Sequence, residues 1–243
     1  MARERLAFRH LLALLQKWRT AEISSFELFV LAAAVPVRLF KWRLLGVMRS
    51  TDGMFLTRRE LLDVAICHAA GRPGLWLEFG VFEGDSLNYI AGRVDFLVYG
   101  FDSFEGLPSR WGLQYKQGAF STGGHLPEIR PNVRLVKGWF KDSLPAFLEG
   151  QSAAPVAFAH VDSDLYESAR VVLFTLGDRI GPGTILLFDE FCGMQPDDES
   201  RAFREFERKN RLRFRYVGCA LEGGGSVALE ILSPPDRLFP RRH

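Results

Sequence analysis

Four acidic residues each close an apolar run: Glu78 after Leu75-Trp76-Leu77, Asp102 after Val98–Phe101, Asp162 after Val156–Val161, and Asp189 after Leu186-Leu187-Phe188. Two of them open acidic clusters, His160-Val161-Asp162-Ser163-Asp164 and Phe188-Asp189-Glu190. Carboxylates gathered at neighbouring strand ends repel each other, so they either share protons at raised pKa or bind a hard cation. Asp162, Asp189 and Glu190 offer three oxygen ligands, which suits Mg²⁺ or Mn²⁺ with water and substrate oxygens completing the shell. A cation there lowers the pKa of a bound hydroxyl and orients it, and Asp162 or Asp164 is placed to remove the proton. The plainer role for Asp164 and Glu190 is to cap the helix or loop that follows.

Glu78 leads into Phe79-Gly80-Val81-Phe82-Glu83-Gly84-Asp85-Ser86, a loop with two glycines that runs into a helix. In doubly wound sheets ligands bind at such a turn, and glycine lets them approach the backbone closely. The spacing from Gly80 to Gly84 is not that of the GxGxxG dinucleotide fingerprint. Glu78, Glu83 and Asp85 also crowd a helix N-terminus that would otherwise attract pyrophosphate. They suit a cofactor that carries an ammonium and a sulfonium and no phosphate, which describes S-adenosylmethionine; the alternative is an ordinary tight turn. Asp102 lies 24 residues beyond Glu78, where a carboxylate is placed to accept hydrogen bonds from both ribose hydroxyls. Ser103 or Phe104 would then line the adenine. Trp139, directly after the third strand, either stacks on the adenine or belongs to the core. The expected cofactor-holding set is therefore Glu78, Gly80, Gly84, Asp102, Ser103, Trp139 and Asp162.

The elements that must position these residues alternate. Leu75–Phe79, Phe96–Phe101, Val133–Val136, Val156–Val161 and Thr184–Phe188 read as strands buried on both faces. Ser86–Arg93, Leu144–Leu148, Ser168–Asp178 and Arg201–Asn210 read as helices. Phe214–Val217 and Ser226–Leu232, flanking Gly223-Gly224-Gly225, read as a terminal antiparallel hairpin. The expected fold is α/β: a doubly wound, mostly parallel, Rossmann-like sheet with an antiparallel C-terminal hairpin. Residues 1–70 read as an N-terminal helical arm, with helical spacing over 4–19, over 25–48 with a break at Pro36, and from Thr57 to Gly71. Residues 71–243 form the cofactor-binding domain. Pro108–Pro131 is an insertion rich in Gly, Ser and Thr, of a length typical of lids, in which His125 is placed to meet substrate. His160 stands isolated and reads as structural.

The 243 residues carry a net charge of +2, too little to argue for nucleic acid. Residues 1–50 hold nine Lys/Arg and three Asp/Glu, which leaves −4 for the remainder. Such an arm either presents a solvated helix face or touches phosphate, anionic lipid or an acidic partner. Its Trp18 and Trp42 make peripheral membrane contact the minority reading. Its apolar helices point to a homodimer. Cys67, Cys192 and Cys219 are widely spaced and form no CxxC pair, so neither a disulfide framework nor a zinc site is expected. A reducing, cytoplasmic location fits, and no apolar stretch reaches the length of a membrane span. There is no GxSxG elbow, Walker loop or Cys–His arrangement. The competing readings are an NAD-dependent oxidoreductase of similar fold, and a non-catalytic or membrane-surface protein that keeps the fold.

Glu78-Phe79-Gly80-Val81, Phe101-Asp102-Ser103-Phe104-Glu105-Gly106-Leu107-Pro108, Gly138-Trp139-Phe140-Lys141-Asp142-Ser143-Leu144-Pro145, His160–Ser168 and Phe188-Asp189-Glu190 occur in the order found in macrolide sugar O-methyltransferases of the macrocin type. The chain resembles that family over roughly residues 75–215. The resemblance implies an S-adenosylmethionine-dependent, divalent-metal-assisted O-methyltransferase with a small-molecule or glycan acceptor, often a sugar hydroxyl. Where that family has two aspartates in its metal site, this chain has Asp189-Glu190. The arm and the stretch from Tyr115 to His125 also depart from the family pattern.

Overall fold

The structure is a computed structural model, described here over residues 55–191, 199–220 and 225–232. The chain divides into two compact units, Met1–Phe55 and Leu56–His243. The helical spacings over 4–19 and 25–48, and the tail from Ser233, lie outside the described residues.

In chain order the elements are β1 (Phe55–Leu56), α1 (Arg58–Ala69), β2 (Leu75–Phe79), α2 (Asp85–Ala91), β3 (Val98–Asp102), β4 (Val133–Lys137), α3 (Phe140–Glu149), β5 (Val156–Val161), α4 (Tyr166–Leu176), a 3₁₀ turn at Gly177–Arg179, β6 (Ile185–Phe188), α5 (Glu199–Asn210), β7 (Phe214–Ala220) and β8 (Ser226–Ile231). The strands form one sheet in the order β1-β7-β8-β6-β5-β2-β3-β4. Strands β2 to β6 are parallel, while β8 runs antiparallel to both β6 and β7. This is the mixed sheet expected from the sequence. The chain moves outward from β2 through β3 to β4, then returns to β5 on β2's other side. The order therefore reverses beside β2, and the crevice at that point is where such sheets bind ligands.

Successive side chains of a strand point to opposite faces, and the two layers follow from that. Trp76 joins Leu61, Ala65 and Ala69 of α1 and Leu87 and Ile90 of α2 in one buried cluster. On the other face Phe79 stacks on Phe101 at 4.9 Å and meets Phe140 of α3 edge-on at 5.5 Å. Phe188 packs on Phe203 of α5 at 5.5 Å. Helix α1, read from the sequence as the third piece of the arm, contributes its buried face to the core of the sheet. A capping box at its start, with Glu60 N–H donating to Thr57 Oγ1 and Thr57 N–H to Glu60 Oε2, fixes where it begins.

Three sequence expectations are corrected. Strand β4 is not buried on both faces, because it is the sheet's edge and only Val133 is buried along it. Strand β3 begins at Val98 rather than Phe96; Phe96 and Leu97 lie more than 40% exposed, and Asn132 Nδ2 takes up the Phe96 carbonyl instead of a ladder partner. Helix α3 extends well beyond Leu144–Leu148, beginning at Phe140 directly after the strand-end Gly138-Trp139.

Candidate active site

The parallel ladder carries the strand ends to one edge. Phe79 is in register with Phe101 and with Val161, Asp102 with Lys137, and Val161 with Phe188. Backbone bonds continue the register one residue further: Gly80 N–H donates to Phe101 O, Gly138 N–H to Asp102 O, Asp162 N–H to Phe79 O and Asp189 N–H to Val161 O. Gly138, Asp102, Gly80, Asp162 and Asp189 thus stand in a row across five strands. They line a cavity of about 940 Å³, a volume that accommodates a cofactor-sized ligand. Eight carboxylates line it (Glu83, Asp85, Asp102, Asp162, Asp164, Glu167, Asp189 and Glu190) against the cations Arg58, Arg59 and Lys141.

Gly80 has φ +96°, and a Cβ there would lie 1.8 Å from the carbonyl oxygen of Asp162. The close approach of the β2 and β5 loops therefore requires glycine. Asp102 organises the same loop: Oδ2 accepts the N–H groups of Val81 at 2.8 Å and Phe82 at 2.9 Å, and Oδ1 accepts Phe104 N–H at 2.7 Å. Two amides occupy Oδ2, so one lone-pair site on Oδ1 remains for a ligand hydroxyl, rather than room for a pair. Ser103 and Trp139 line the cavity as expected, with Trp139 half-buried at the start of α3. Phe104 does not line it. Its backbone adopts φ +61° and its ring turns into the core beside Trp76 and Ile90.

Glu78 and Gly84 lie beneath the cavity wall rather than on it. Glu78 is wholly buried; Oε1 accepts the Ser86 hydroxyl and faces His160 Nδ1 at 3.3 Å. Its Oε2 is buried with no hydrogen-bond partner among the described residues, as is His160 Nδ1. Burial alone would lower the His160 pKa, but the Glu78 carboxylate, with Asp162 and Asp189 beyond it, outweighs burial and raises it. Gly84 caps α2 in the left-handed conformation and packs against Pro127 of the insertion.

One ligand atom each from His160, Asp162 and Asp189 fall within 4.8 Å of one another. Glu190 lines the same cavity but is not in that set. The two aspartate carboxylates suit a hard divalent cation. His160, buried and favouring its protonated form, suits one less. Burial, reinforced by Asp189 and opposed by His160 and Arg58, holds the Asp162 carboxyl well above the usual carboxylate range. Asp164, at φ +60°, is pushed up to about 7 by burial and by Asp189, against Arg58.

Three residues that the sequence reading did not single out complete the site. Arg58 Nη2 pairs with Asp189 Oδ2 at 2.6 Å and Asp162 Oδ2 at 3.4 Å. Ser226 Oγ donates to Asp189 Oδ1 at 2.9 Å. Glu199, wholly buried, accepts Ser163 N–H and Oγ on Oε1, and the N–H groups of Asp189 and Glu190 on Oε2. Only Arg58 left a trace in the sequence, as a cation in the first turn of a helix, where the dipole disfavours it.

The insertion reaches the cavity through its first part. Trp111 and Tyr115 bridge and stack at 5.0 Å, Tyr115 meets Phe120 at 4.9 Å, and Phe120 leans on Phe82 of the Gly80 loop at 6.0 Å. All four rings line the cavity. His125, placed by sequence to meet substrate, is exposed and outside the lining, because hydrogen bonds from Gly124 N–H to Phe104 O and Lys137 Nζ to Gly124 O pin that turn over β4.

A family model described as macrocin-O-methyltransferase (TylF) matches residues 120–215. The chain is 30% identical over 150 residues to the 8-demethyl-8-(2,3-dimethoxy-alpha-L-rhamnosyl)-tetracenomycin-C 4'-O-methyltransferase of Streptomyces olivaceus, covering 51% of this chain and 55% of that protein. It is 27% identical over 151 residues to the mycinamicin III 3''-O-methyltransferase of Micromonospora griseorubida, covering 50% of this chain and 57% of that protein. The chain thus spans little more than half the length of these curated relatives. Among solved structures, the calicheamicin methyltransferase CalS11 superposes with a TM-score of 0.56 at 21% identity, covering 93% of this chain and 91% of its own. The O-methyltransferase NovP superposes with a TM-score of 0.52 at 22% identity, covering 72% and 80%. These two likenesses concern the fold. The chain has the class I methyltransferase fold, and over residues 120–215 it is similar to the macrocin-type O-methyltransferases that its motifs resemble.

Proposed function

We propose that this chain is an S-adenosylmethionine-dependent O-methyltransferase that acts, with a divalent cation, on a hydroxyl of a sugar or sugar-bearing natural product. The observation that carries the reading is the cavity at the topological switch point, where eight carboxylates face three cations around the Gly80 loop. That excess of negative charge favours a cofactor with an ammonium and a sulfonium over one with a pyrophosphate. The name of the first curated relative, an O-methyltransferase of a rhamnosyl-tetracenomycin, supports the acceptor class.

When bound, S-adenosylmethionine supplies a methyl group already activated by its sulfonium. Most of the rate then comes from orientation and electrostatics. The loop at Gly80, with Asp102, Ser103 and Trp139, holds the cofactor over β2, β3 and β4, supported from beneath by Glu78 and Gly84. Asp162 and Asp189, with Glu190 lining the same cavity, would hold the cation, which would supply a lowered pKa at the acceptor hydroxyl. Asp164, held near 7, is matched to taking up the hydroxyl proton at neutral pH, with Asp162 beside it. The aromatic rings of the insertion give the cavity an apolar wall against which an acceptor can pack. The reading extends to a cytoplasmic homodimer paired through the apolar helices read in residues 1–50, with membrane contact there as the lesser possibility. Light scattering after size exclusion, and vesicle flotation, test these.

Thermal unfolding with S-adenosylhomocysteine, with and without Mg²⁺ and beside an NADH control, tests the core of the proposal. Saturating ligand at 100 times its dissociation constant adds about 2.7 kcal/mol, roughly 5–10 °C for a domain of this size. No shift with the adenosyl ligand overturns the methyltransferase reading. A shift that neither Mg²⁺ increases nor EDTA reverses removes the cation alone.

A further inference from the structure

Arg58 is a cation at the wrong end of a helix. The positive end of the α1 dipole disfavours Lys or Arg in the first turn, yet the Thr57–Glu60 capping box starts the helix so that Arg58 is its first residue. What offsets this is the pair of carboxylates that Arg58 reaches: Asp189 Oδ2 at 2.6 Å and Asp162 Oδ2 at 3.4 Å. Asp189 is nearly buried, with 8% of its side chain exposed, whereas 45% of the Arg58 side chain is exposed. The carboxylates are built into the floor and the guanidinium reaches them from the rim. Arg58, Asp162 and Asp189 come from three separate strand or helix ends, and Ser226 holds the Asp189 carboxylate while Glu199 holds the Asp189 backbone, both independently of Arg58. Asp189 is therefore preformed, and the more exposed Arg58 is the movable half of the interaction.

We propose that Arg58 is a built-in counter-cation that competes with a divalent metal for Asp162 and Asp189. The inference rests on the cation reading above and adds the residue that governs it. A cation drawing on Asp189 Oδ2, the oxygen that Ser226 leaves open, would meet the guanidinium at hydrogen-bond distance from that same oxygen, and two like charges there repel. Arg58 thus occupies the apo site as its counter-ion, sets the apparent metal affinity, and is released toward the rim when metal arrives.

If Arg58 occupies the pair nine-tenths of the time, apparent metal affinity is reduced about tenfold, the reciprocal of the competent fraction. The test is titration of full-length protein with Mn²⁺ alone, by calorimetry and by loss of the free-ion electron paramagnetic resonance signal, in wild type, Arg58→Gln and Arg58→Lys. The expected result is a dissociation constant roughly tenfold lower for Arg58→Gln than for wild type, with Arg58→Lys between them. Far-UV circular dichroism and a single cooperative urea transition verify that each variant is folded. Equal Mn²⁺ affinity in all three proteins overturns the competition and leaves the cation reading in place. Weaker binding in Arg58→Gln also overturns it, making Arg58 an organiser of the site. Absence of Mn²⁺ binding in all three overturns both the competition and the cation reading, while the adenosyl shift still judges the methyltransferase reading separately.

Discussion

Glu199 Oε1 accepts the backbone N–H of Ser163 at 2.7 Å, tying the start of α5 to the loop after β5. The other oxygen of the same carboxylate accepts Asp189 N–H at 3.1 Å and Glu190 N–H at 3.0 Å. One wholly buried side chain therefore sets the spacing between the two acidic strand ends. Burial, with Asp162 adding to it, raises the Glu199 pKa, while the backbone donors pull against them. Glu199→Ala removes the acceptor of the Ser163 and Glu190 N–H groups, while Asp189 N–H keeps Val161 O, and should destabilise the fold by about 2–3 kcal/mol. Glu199→Gln turns an amide N–H toward one side of the clamp and should lie between. Urea unfolding measures both, and an Ala variant with an unchanged midpoint would show that the clamp does not matter.

Asp102 makes a prediction about the cofactor loop. In Asp102→Asn one acceptor oxygen becomes a donor, facing either the Phe104 N–H or the pair from Val81 and Phe82. Hydrogen bonds to a charged acceptor contribute about 1.5–3 kcal/mol, so S-adenosylhomocysteine affinity should fall roughly 10- to 100-fold. Calorimetric titration reads this directly. Unaltered affinity would separate the loop from the binding site.

Gly80→Ala should be among the most damaging single methyl groups in the domain. The added Cβ falls 1.8 Å from the Asp162 carbonyl at φ +96°, so the β2 and β5 loops must part. The expected loss is about 3 kcal/mol or more, accompanied by loss of adenosyl-ligand binding. Gly181→Ala is the matched control, because a Cβ there meets nothing within 4 Å; it should stay within about 0.5 kcal/mol of wild type. Equal melting temperatures for the two variants would contradict the strain argument.

The raised Asp164 pKa gives a signed pH dependence. Its folded value is about 7 against 3.8 for the free group, through burial first and the Asp189 charge second, opposed by Arg58. Between those values the folded protein holds a proton that the unfolded chain has released, so this group's contribution to stability falls as pH rises. The loss begins near pH 4, is complete a little above pH 7, and on the order of a few kcal/mol is involved. Asp164→Asn removes it. The variant should gain on wild type steadily from pH 4 to 7 and hold a constant margin above. Urea unfolding across that pH range checks the slope; a margin that shrinks with rising pH would reverse the assignment.

The sequence by itself determined the sheet and the edge where chemistry is placed. Apolar runs ending on Glu78, Asp102, Asp162 and Asp189 are local signals, since a buried parallel strand must be apolar throughout and its ligand-facing end is where polarity returns. Gly80 was legible for a related reason: a turn that needs positive φ or close approach selects glycine locally.

Only the tertiary structure decided which way side chains face and what they meet across the chain. Glu78 turns under the cavity because Ser86 folds over it, and Phe104 turns into the core because its backbone takes positive φ. His125 is held away from the cavity while Trp111, Tyr115 and Phe120 of the same insertion line it. Arg58 reaches Asp162 across 104 residues of chain and Glu199 reaches Ser163 across 36. No spacing rule reaches that far. Electrostatic attraction and hydrogen bonding select these partners only after packing of α1 and α5 on the sheet has brought them within a few ångströms.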